Sequence, residues 1–127
     1  MKVKRKILII DDDDYMRKAI VRILRPMQDC VFFEAKDVDS AITILDETNP
    51  DLLIVDINMP EKKGYEICLY INDKPCFAHT KVIGISGYAG GIGDAIMTSL
   101  GADYYFSKPF DTNKFLSKIT MLLEEPT

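Results

Sequence analysis

Five polar side chains in this sequence could do chemistry together, because each stands at or just beyond the end of a short apolar run. They comprise three carboxylates, one hydroxyl and one amine, from Asp11, Asp12, Asp56, Ser86 and Lys108. Two carboxylates held about 4 Å apart repel by roughly 4 kcal/mol at an effective dielectric constant of about 20. If the fold brings these groups together, three acids with one lysine therefore need raised pKa values or an additional cation.

The donor set indicates which cation and which reaction would suit such a cluster. Ligands that are all oxygen, with space left for water, suit a hard octahedral ion such as Mg²⁺. A carboxylate, a metal ion, a lysine and a hydroxyl donor are also the parts needed to move a phosphoryl group. The carboxylate attacks phosphorus while the cations and the donor neutralise the peripheral oxygens.

Alternating strands and helices are predicted to position these side chains. Short apolar runs predict five strands, at residues 6–10, 30–35, 51–56, 81–86 and 103–107. Apolar residues at helical spacing predict five helices, around residues 16–27, 38–45, 64–71, 92–100 and 115–123. This alternation predicts an α/β protein in which a doubly wound parallel sheet has helices on both faces.

The parallel sheet explains how distant residues could meet. Sequence does not give the strand order, but five βα units suit the flavodoxin-like order 2-1-3-4-5. The carboxyl ends of parallel strands share one edge, and ligands bind at that edge in open α/β sheets. The run 52–55 is apolar throughout, as expected of a strand buried on both faces in the middle of the sheet.

Several residues are expected to mark helix ends rather than to belong to the site. Asp13 or Asp14 is expected to cap the first helix, where acids are favoured. Gly101 suits the C-terminal cap of the fourth helix. Asp111 or Thr112 is expected to open the fifth.

Length and composition narrow the function classes. The 127 residues fit a single domain, which we expect to span residues 1–127. A net charge of −4 gives no general reason to bind nucleic acid or an anionic membrane, and no apolar run approaches the roughly 18 residues of a membrane span. Three cysteines, an odd count without a C-x-x-C pair, favour a reduced cytoplasmic protein.

Four motifs carry a family resemblance that covers essentially the whole chain. They are Ile-Ile-Asp-Asp at 9–12, Asp-Ile-Asn-Met-Pro at 56–60 with Gly64, Ser86-Gly87, and Lys108-Pro109-Phe110. In this order and at this spacing they resemble the receiver domain of bacterial two-component response regulators, of the chemotaxis-regulator type. The resemblance implies a phosphoprotein that is regulatory rather than an enzyme, although it assists its own phosphorylation and dephosphorylation.

The resemblance implies a role for each matched position at the metal and the phosphoacceptor. Asp56 matches the phosphoacceptor, which takes a phosphoryl group from the phosphohistidine of a histidine kinase or phosphotransfer protein. Asp12 matches the acid that binds Mg²⁺ directly, and Asp11 the acid that usually acts through a water. Asp56 itself and the backbone carbonyl of Asn58 would complete the protein ligands of the metal.

Further matched positions imply a switch. Ser86 matches the hydroxyl that turns toward the phosphorylated aspartate, Lys108 the lysine that pairs with the phosphoryl oxygens, and Tyr105 the aromatic that reorients with them. The face formed by the fourth helix, fifth strand and fifth helix would then change its preference for a downstream target, a fused output domain or a second copy. In the family the peptide bond from Lys108 to Pro109 is cis, and we expect a cis bond here.

Two other functions remain as alternatives. A haloacid-dehalogenase-like phosphatase would use Asp11 as its nucleophile, since Asp11 and Asp13 follow an apolar strand, but a late acidic pair and a cap insertion are missing from the sequence. A receiver that has lost phosphotransfer would serve only as a docking module. The aspartate that becomes phosphorylated separates the phosphatase from the receiver, and the response to Mg²⁺ separates the docking module.

Overall fold

Strands and helices alternate along the part of the chain that the computed structural model describes, residues 4–57, 64–87 and 101–124. The strands are β1 (Arg5–Ile10), β2 (Cys30–Ala35), β3 (Leu52–Asp56), β4 (Lys81–Ser86) and β5 (Tyr104–Ser107). The helices are α1 (Asp14–Leu24), α2 (Val38–Thr48), α3 (Tyr65–Asn72) and α4 (Thr112–Glu124), with a 3₁₀ turn at Pro75–Phe77. Every predicted strand is confirmed to within one residue at each end, and the helix predicted around 92–100 lies outside the described residues.

The sheet has the predicted order. Its five described strands run β2-β1-β3-β4-β5, and every neighbouring pair is parallel. The flavodoxin-like arrangement is therefore confirmed. All five residues of β3 are buried, as expected of a central strand whose two faces are covered.

Two apolar clusters, one on each face of the sheet, hold the helices in place. Along β1 the side chains alternate between the faces, because successive residues of a strand point to opposite sides. Leu8 and Ile10 join the cluster that contains the buried residues of α2 and α3. Ile7 and Ile9 join the cluster of α1 and α4. Burying each such side chain is worth about 1.5–3 kcal/mol, so both helical layers are firmly attached to the sheet.

Side-chain caps define where the helices begin. Asp13 is the N-cap of α1, and its carboxylate accepts hydrogen bonds from the backbone N–H groups of Tyr15 and Met16. Asp111 accepts a hydrogen bond from the N–H of Lys114 in the first turn of α4. The cap at Asp13 ends the loop after β1 within three residues, so Asp11 and Asp12 stay at the carboxyl edge of the sheet.

The described helices and the three cysteines show two further properties. None of the helices in the described ranges has the length and apolar character needed to span a bilayer. Cys30, Cys68 and Cys76 are free thiols. Burial raises the pKa of the Cys68 thiol to about 11, so this group remains a neutral part of the core at ordinary pH.

Candidate functional site

Three carboxylates come together where two adjacent strands end. Asp11 and Asp12 follow β1 and Asp56 ends β3, and the parallel pairing of Ile10 with Val55 puts these ends side by side. One carboxylate oxygen of each aspartate lies within 4.8 Å of the others. Asp11 is 1% exposed and Asp56 is 6% exposed, whereas Asp12 reaches solvent. The cluster is thus a half-enclosed acidic site that opens outward at Asp12.

A lysine from the loop between β5 and α4 bridges two of the acids. The Nζ atom of Lys108 lies 3.5 Å from Oδ2 of Asp11 and 3.6 Å from Oδ2 of Asp56. The backbone N–H of Lys108 donates to the carbonyl of Ser86 over 2.7 Å, which fixes this loop to the end of β4. One ammonium group cannot neutralise three carboxylates, so the site retains an excess of negative charge.

Burial and the neighbouring acids perturb the Asp11 carboxyl. Loss of hydration raises its pKa from 3.8 to about 6, and the charges of Asp56 and Asp12 act in the same direction. The N–H of Asp13, which donates to Oδ1 over 2.9 Å, and the ammonium of Lys108 oppose this increase only in part. An added cation would stabilise the ionised form of this buried carboxylate, which lies beside two other acids.

The donor set fits a divalent metal ion. All three side chains offer oxygen, two come from one loop and one from the next strand, and their shared excess of negative charge is only partly balanced by Lys108. Oxygen ligands with an open, solvated side are what Mg²⁺ requires, because it keeps several waters. These aspartates could therefore hold Mg²⁺.

A glycine allows the chain after β3 to pass close to Asp56. A Cβ atom on Gly64 would lie 2.0 Å from the backbone oxygen of Asp56, far inside any real contact. On the other side, the N–H of Ile57 donates to the carbonyl of Ile85 over 3.0 Å. The backbone at Asp56 is thus packed between β4 and the residue that precedes α3, while its side chain contacts Lys108.

The remaining predicted site residues in the described ranges lie at the end of β4, on β5 and in the loop after β5. Ser86 is fully buried at the end of β4, next to Ile85, which pairs with Asp56. Tyr105 lies one strand further, half-buried against the cluster of α2 and α3. The predicted cis peptide bond between Lys108 and Pro109 is confirmed. Asn58 lies outside the described residues.

One buried arginine at the site was not anticipated. Arg17 of α1 donates to the backbone carbonyl of Asp11 over 2.7 Å and to Glu34 of β2 over 3.0 Å. A signal for it was present in the sequence, because Arg17 shares its helical register with the buried Ile20 and Leu24. A charged residue at an apolar position of the helix indicates a fixed set of partners.

Comparison with known proteins matches this arrangement to one family. Residues 7–120 match the family described as the response regulator receiver domain. Protein PilG of Pseudomonas aeruginosa is 32% identical over 114 residues, which cover 90% of this chain and 84% of PilG. Chemotaxis protein CheY of Listeria monocytogenes is 33% identical over 114 residues, which cover 90% of this chain and 94% of CheY. This chain spans about half or less of the length of some longer relatives.

A solved structure with the same fold carries a similar description. The signal receiver domain of a DNA binding response regulator protein from Colwellia psychrerythraea 34H superposes with a TM-score of 0.90 at 26% identity. The superposition covers 96% of this chain and 100% of that domain.

Proposed function

Because this chain belongs to the response regulator receiver domain family of two-component signal transduction, we propose that Asp56 is the residue on which it becomes phosphorylated. The observation that carries the proposal is the position of the Asp56 carboxylate. It is buried at the carboxyl end of the central strand, shares Lys108 with Asp11, and lies within 4.8 Å of both other acids. A receiver is a regulatory phosphoacceptor, and the same residues would assist gain and loss of its phosphoryl group.

The proposed metal is Mg²⁺, bound by Asp11, Asp12 and Asp56, with the backbone carbonyl of Asn58 as a further ligand by family resemblance. When bound, the ion supplies positive charge toward the phosphoryl oxygens and the neighbouring carboxylates. The raised pKa of Asp11 and the surplus of acids over lysine support a cation requirement.

The proposed reaction forms a mixed anhydride. A carboxylate oxygen of Asp56 attacks phosphorus, the bond from phosphorus to the histidine nitrogen of the donor breaks, and that nitrogen keeps the electron pair. Lys108 lies 3.6 Å from the Asp56 oxygen, so its ammonium can pair with the added phosphoryl oxygens. Hydrolysis by water at the same centre would return the free carboxylate.

The proposed response is a switch of the surface. Phosphorylation adds about 1.5 to 2 negative charges and new acceptor oxygens. The hydroxyl of Ser86 and the ammonium of Lys108 would move toward them, and Tyr105 would reorient. The face that includes β5 and α4, together with the helix predicted around 92–100, would then change its partner preference.

The proposed partners follow from this chemistry. The donor is a histidine kinase or phosphotransfer protein, and longer relatives include a histidine kinase. The receiver is one unit over residues 1–127, which acts on a separate protein target or on a fused output domain, with a phosphorylation-linked homodimer as a third outcome. The three free thiols support a reducing, cytoplasmic setting.

Acetyl phosphate with Mg²⁺ tests the proposal directly. We expect the wild type to take up phosphoryl label, Asp56→Asn to take up none, and Asp73→Asn, an exposed acid at the end of α3, to behave like the wild type. Peptide mapping of the label identifies the nucleophile. Undiminished labelling of Asp56→Asn would remove Asp56 from the role, and label on Asp11 would favour the phosphatase alternative. No labelling of the wild type and no response to Mg²⁺ would favour a docking module.

A further inference from the structure

We infer that Arg17 is a positioning residue that orients the metal-binding loop after β1, so that Mg²⁺ affinity depends on its guanidinium group. The inference rests on the proposed function, because it takes Asp11 and Asp12 as metal ligands. Arg17 itself is not proposed as a ligand or as a contact of the phosphoryl group. Its effect would pass through the backbone of Asp11.

The guanidinium of Arg17 contacts three separate parts of the chain. Its Nη1 atom donates to the backbone carbonyl of Asp11 over 2.7 Å, a buried hydrogen bond. Its Nε atom donates to Oε1 of Glu34 on β2 over 3.0 Å, and its Nη2 atom donates to Oδ1 of Asp14 over 2.5 Å. The side chain is only 10% exposed. The group therefore links the end of β1 to the adjacent strand and to the first turn of α1.

Burying an arginine at this helix position has an unfavourable desolvation free energy, so its presence indicates a specific structural role. The first two buried positions that follow it on the same face of α1 are Ile20 and Val21, which pack in the core. A buried charge pair is often no more stabilising than apolar side chains of similar volume. The planar fork of arginine, however, directs several N–H groups in fixed directions, which a lysine cannot do. The arrangement favours orientation, rather than added stability, as the task of Arg17.

The bonds around Asp11 show what Arg17 contributes. The N–H of Asp11 donates to the carbonyl of Ala35 over 3.1 Å, and its carbonyl accepts from Arg17. Its Oδ1 atom accepts from the N–H of Asp13, and its Oδ2 atom faces Lys108. The peptide group that Arg17 holds also leads directly into Asp12. Without this bond, the peptide between the two acids would lose its buried partner and could rotate.

Outer contacts of this kind tune metal binding in proteins. Removal of a group that orients a ligand typically weakens metal affinity by about 10- to 100-fold. We therefore expect Arg17→Lys, which keeps the charge but not the fork, to raise the Mg²⁺ dissociation constant by roughly tenfold or more. Isothermal titration calorimetry on the phosphate-free protein measures this constant directly. At saturating Mg²⁺, phosphorylation by acetyl phosphate should recover to within about twofold of the wild-type rate, since Arg17 acts through metal binding.

A second variant and two controls separate orientation from general stability. Glu34→Gln removes the charge that pairs with the guanidinium of Arg17 on β2, and we expect it to weaken Mg²⁺ binding severalfold. This variant tests the inference even if Arg17→Lys does not fold. Lys18→Ala removes the other partner of Glu34, an exposed ion pair of 3.1 Å, and should leave the constant unchanged. Ile20→Ala destabilises the same buried face of α1 and should also leave it within about twofold, since Ile20 has no place in the site.

The outcomes are distinct from those that test the proposed function. Wild-type Mg²⁺ affinity in both Arg17→Lys and Glu34→Gln would overturn the inference, and so would equal weakening in Ile20→Ala. A rate that stays low at saturating Mg²⁺ would also overturn it, because the defect would then lie outside metal binding. Failure of the wild type to bind Mg²⁺ or to be phosphorylated would instead overturn the proposed function.

Discussion

At the scale of single residues, the carboxyl of Asp11 shows how burial and neighbouring acids favour cation binding at the site. It is almost completely buried, it faces two other acids, and the pKa of this group is raised to about 6. An ionised carboxylate with little hydration is an unfavourable feature of the folded protein without metal. The same feature favours a divalent cation, since binding restores the favourable electrostatic environment that burial removed.

The raised pKa of Asp11 predicts a pH dependence of stability in the absence of metal. Between the ordinary pKa of 3.8 and the folded pKa of about 6 the folded state holds more protons than the unfolded chain, so stability falls as pH rises. Relative to Asp11→Asn, we expect the wild type to lose roughly 2 kcal/mol of unfolding free energy between about pH 4 and about pH 6.5. Urea titrations in EDTA at successive pH values measure the difference. A constant difference across this range would contradict the prediction.

A second residue-scale prediction concerns Gly64, which lies against the backbone of Asp56 at the end of β3. In Gly64→Ala the new Cβ would meet the backbone oxygen of Asp56 at 2.0 Å, so the backbone must shift. We expect the unfolding free energy to fall by roughly 1–3 kcal/mol or more and phosphorylation to fall with it. Gly87→Ala is the matched control, because its Cβ meets nothing within 4 Å. Similar unfolding free energies for the two variants in urea would show that the close approach at Gly64 is unimportant.

At the scale of secondary-structure elements, helix caps determine where the loops at the carboxyl edge end. Asp13 caps α1 two residues after Asp11, and Asp37 caps α2 two residues after β2 ends at Ala35. Short loops of this kind leave little freedom at the edge of the sheet. The acids of the loop after β1 therefore stay close to Asp56 even though they belong to no strand or helix.

The cap of α2 offers a test of this element that leaves the site intact. The carboxylate of Asp37 accepts hydrogen bonds from the backbone N–H and from the hydroxyl of Ser40, each over 2.7 Å. We expect Asp37→Ala to lower the unfolding free energy by about 1 kcal/mol, while Asp37→Asn, which keeps an acceptor oxygen, stays close to the wild type. Chemical denaturation followed by circular dichroism measures both. Equal losses in the two variants would show that charge, rather than the cap bond, is what matters.

At the scale of the whole molecule, two apolar clusters fix the edge on which the site lies. One contains β-strand side chains with α2 and α3, and the other contains those with α1 and α4. Residues of β3 contribute to both, so the strand that ends in Asp56 is held from each side. We expect a sheet that is packed on both faces to keep its fold when the charge at this edge changes.

Metal binding to the folded protein alone should raise global stability. Mg²⁺ at ten times its dissociation constant would add about 1.4 kcal/mol to the unfolding free energy, because the unfolded chain has no such cluster. We expect the melting temperature to rise by several degrees in the wild type and in the control Asp73→Asn, and hardly at all in Asp12→Asn. Differential scanning calorimetry with and without Mg²⁺ gives the shift. An undiminished rise in Asp12→Asn would place the ion elsewhere.

Local patterns were sufficient to predict the five strands and the four described helices, and the motifs were sufficient to indicate the family. An apolar run or a helical stripe reports burial on one face of a short segment, and the motifs around Asp56 and Lys108 are themselves contiguous in sequence. Such patterns also predicted that the acids share an edge, since parallel strands end on the same side.

Only the tertiary structure could decide how the site is held. The Asp11 carbonyl meets Arg17, and Arg17 meets Glu34, through contacts that depend on how α1 packs across β1 and β2. The close approach at Gly64 involves a backbone oxygen eight positions earlier in the chain. The pKa of Asp11 depends on burial and on Lys108, which is 97 residues away. These features arise from distances between remote segments, which no local sequence pattern encodes.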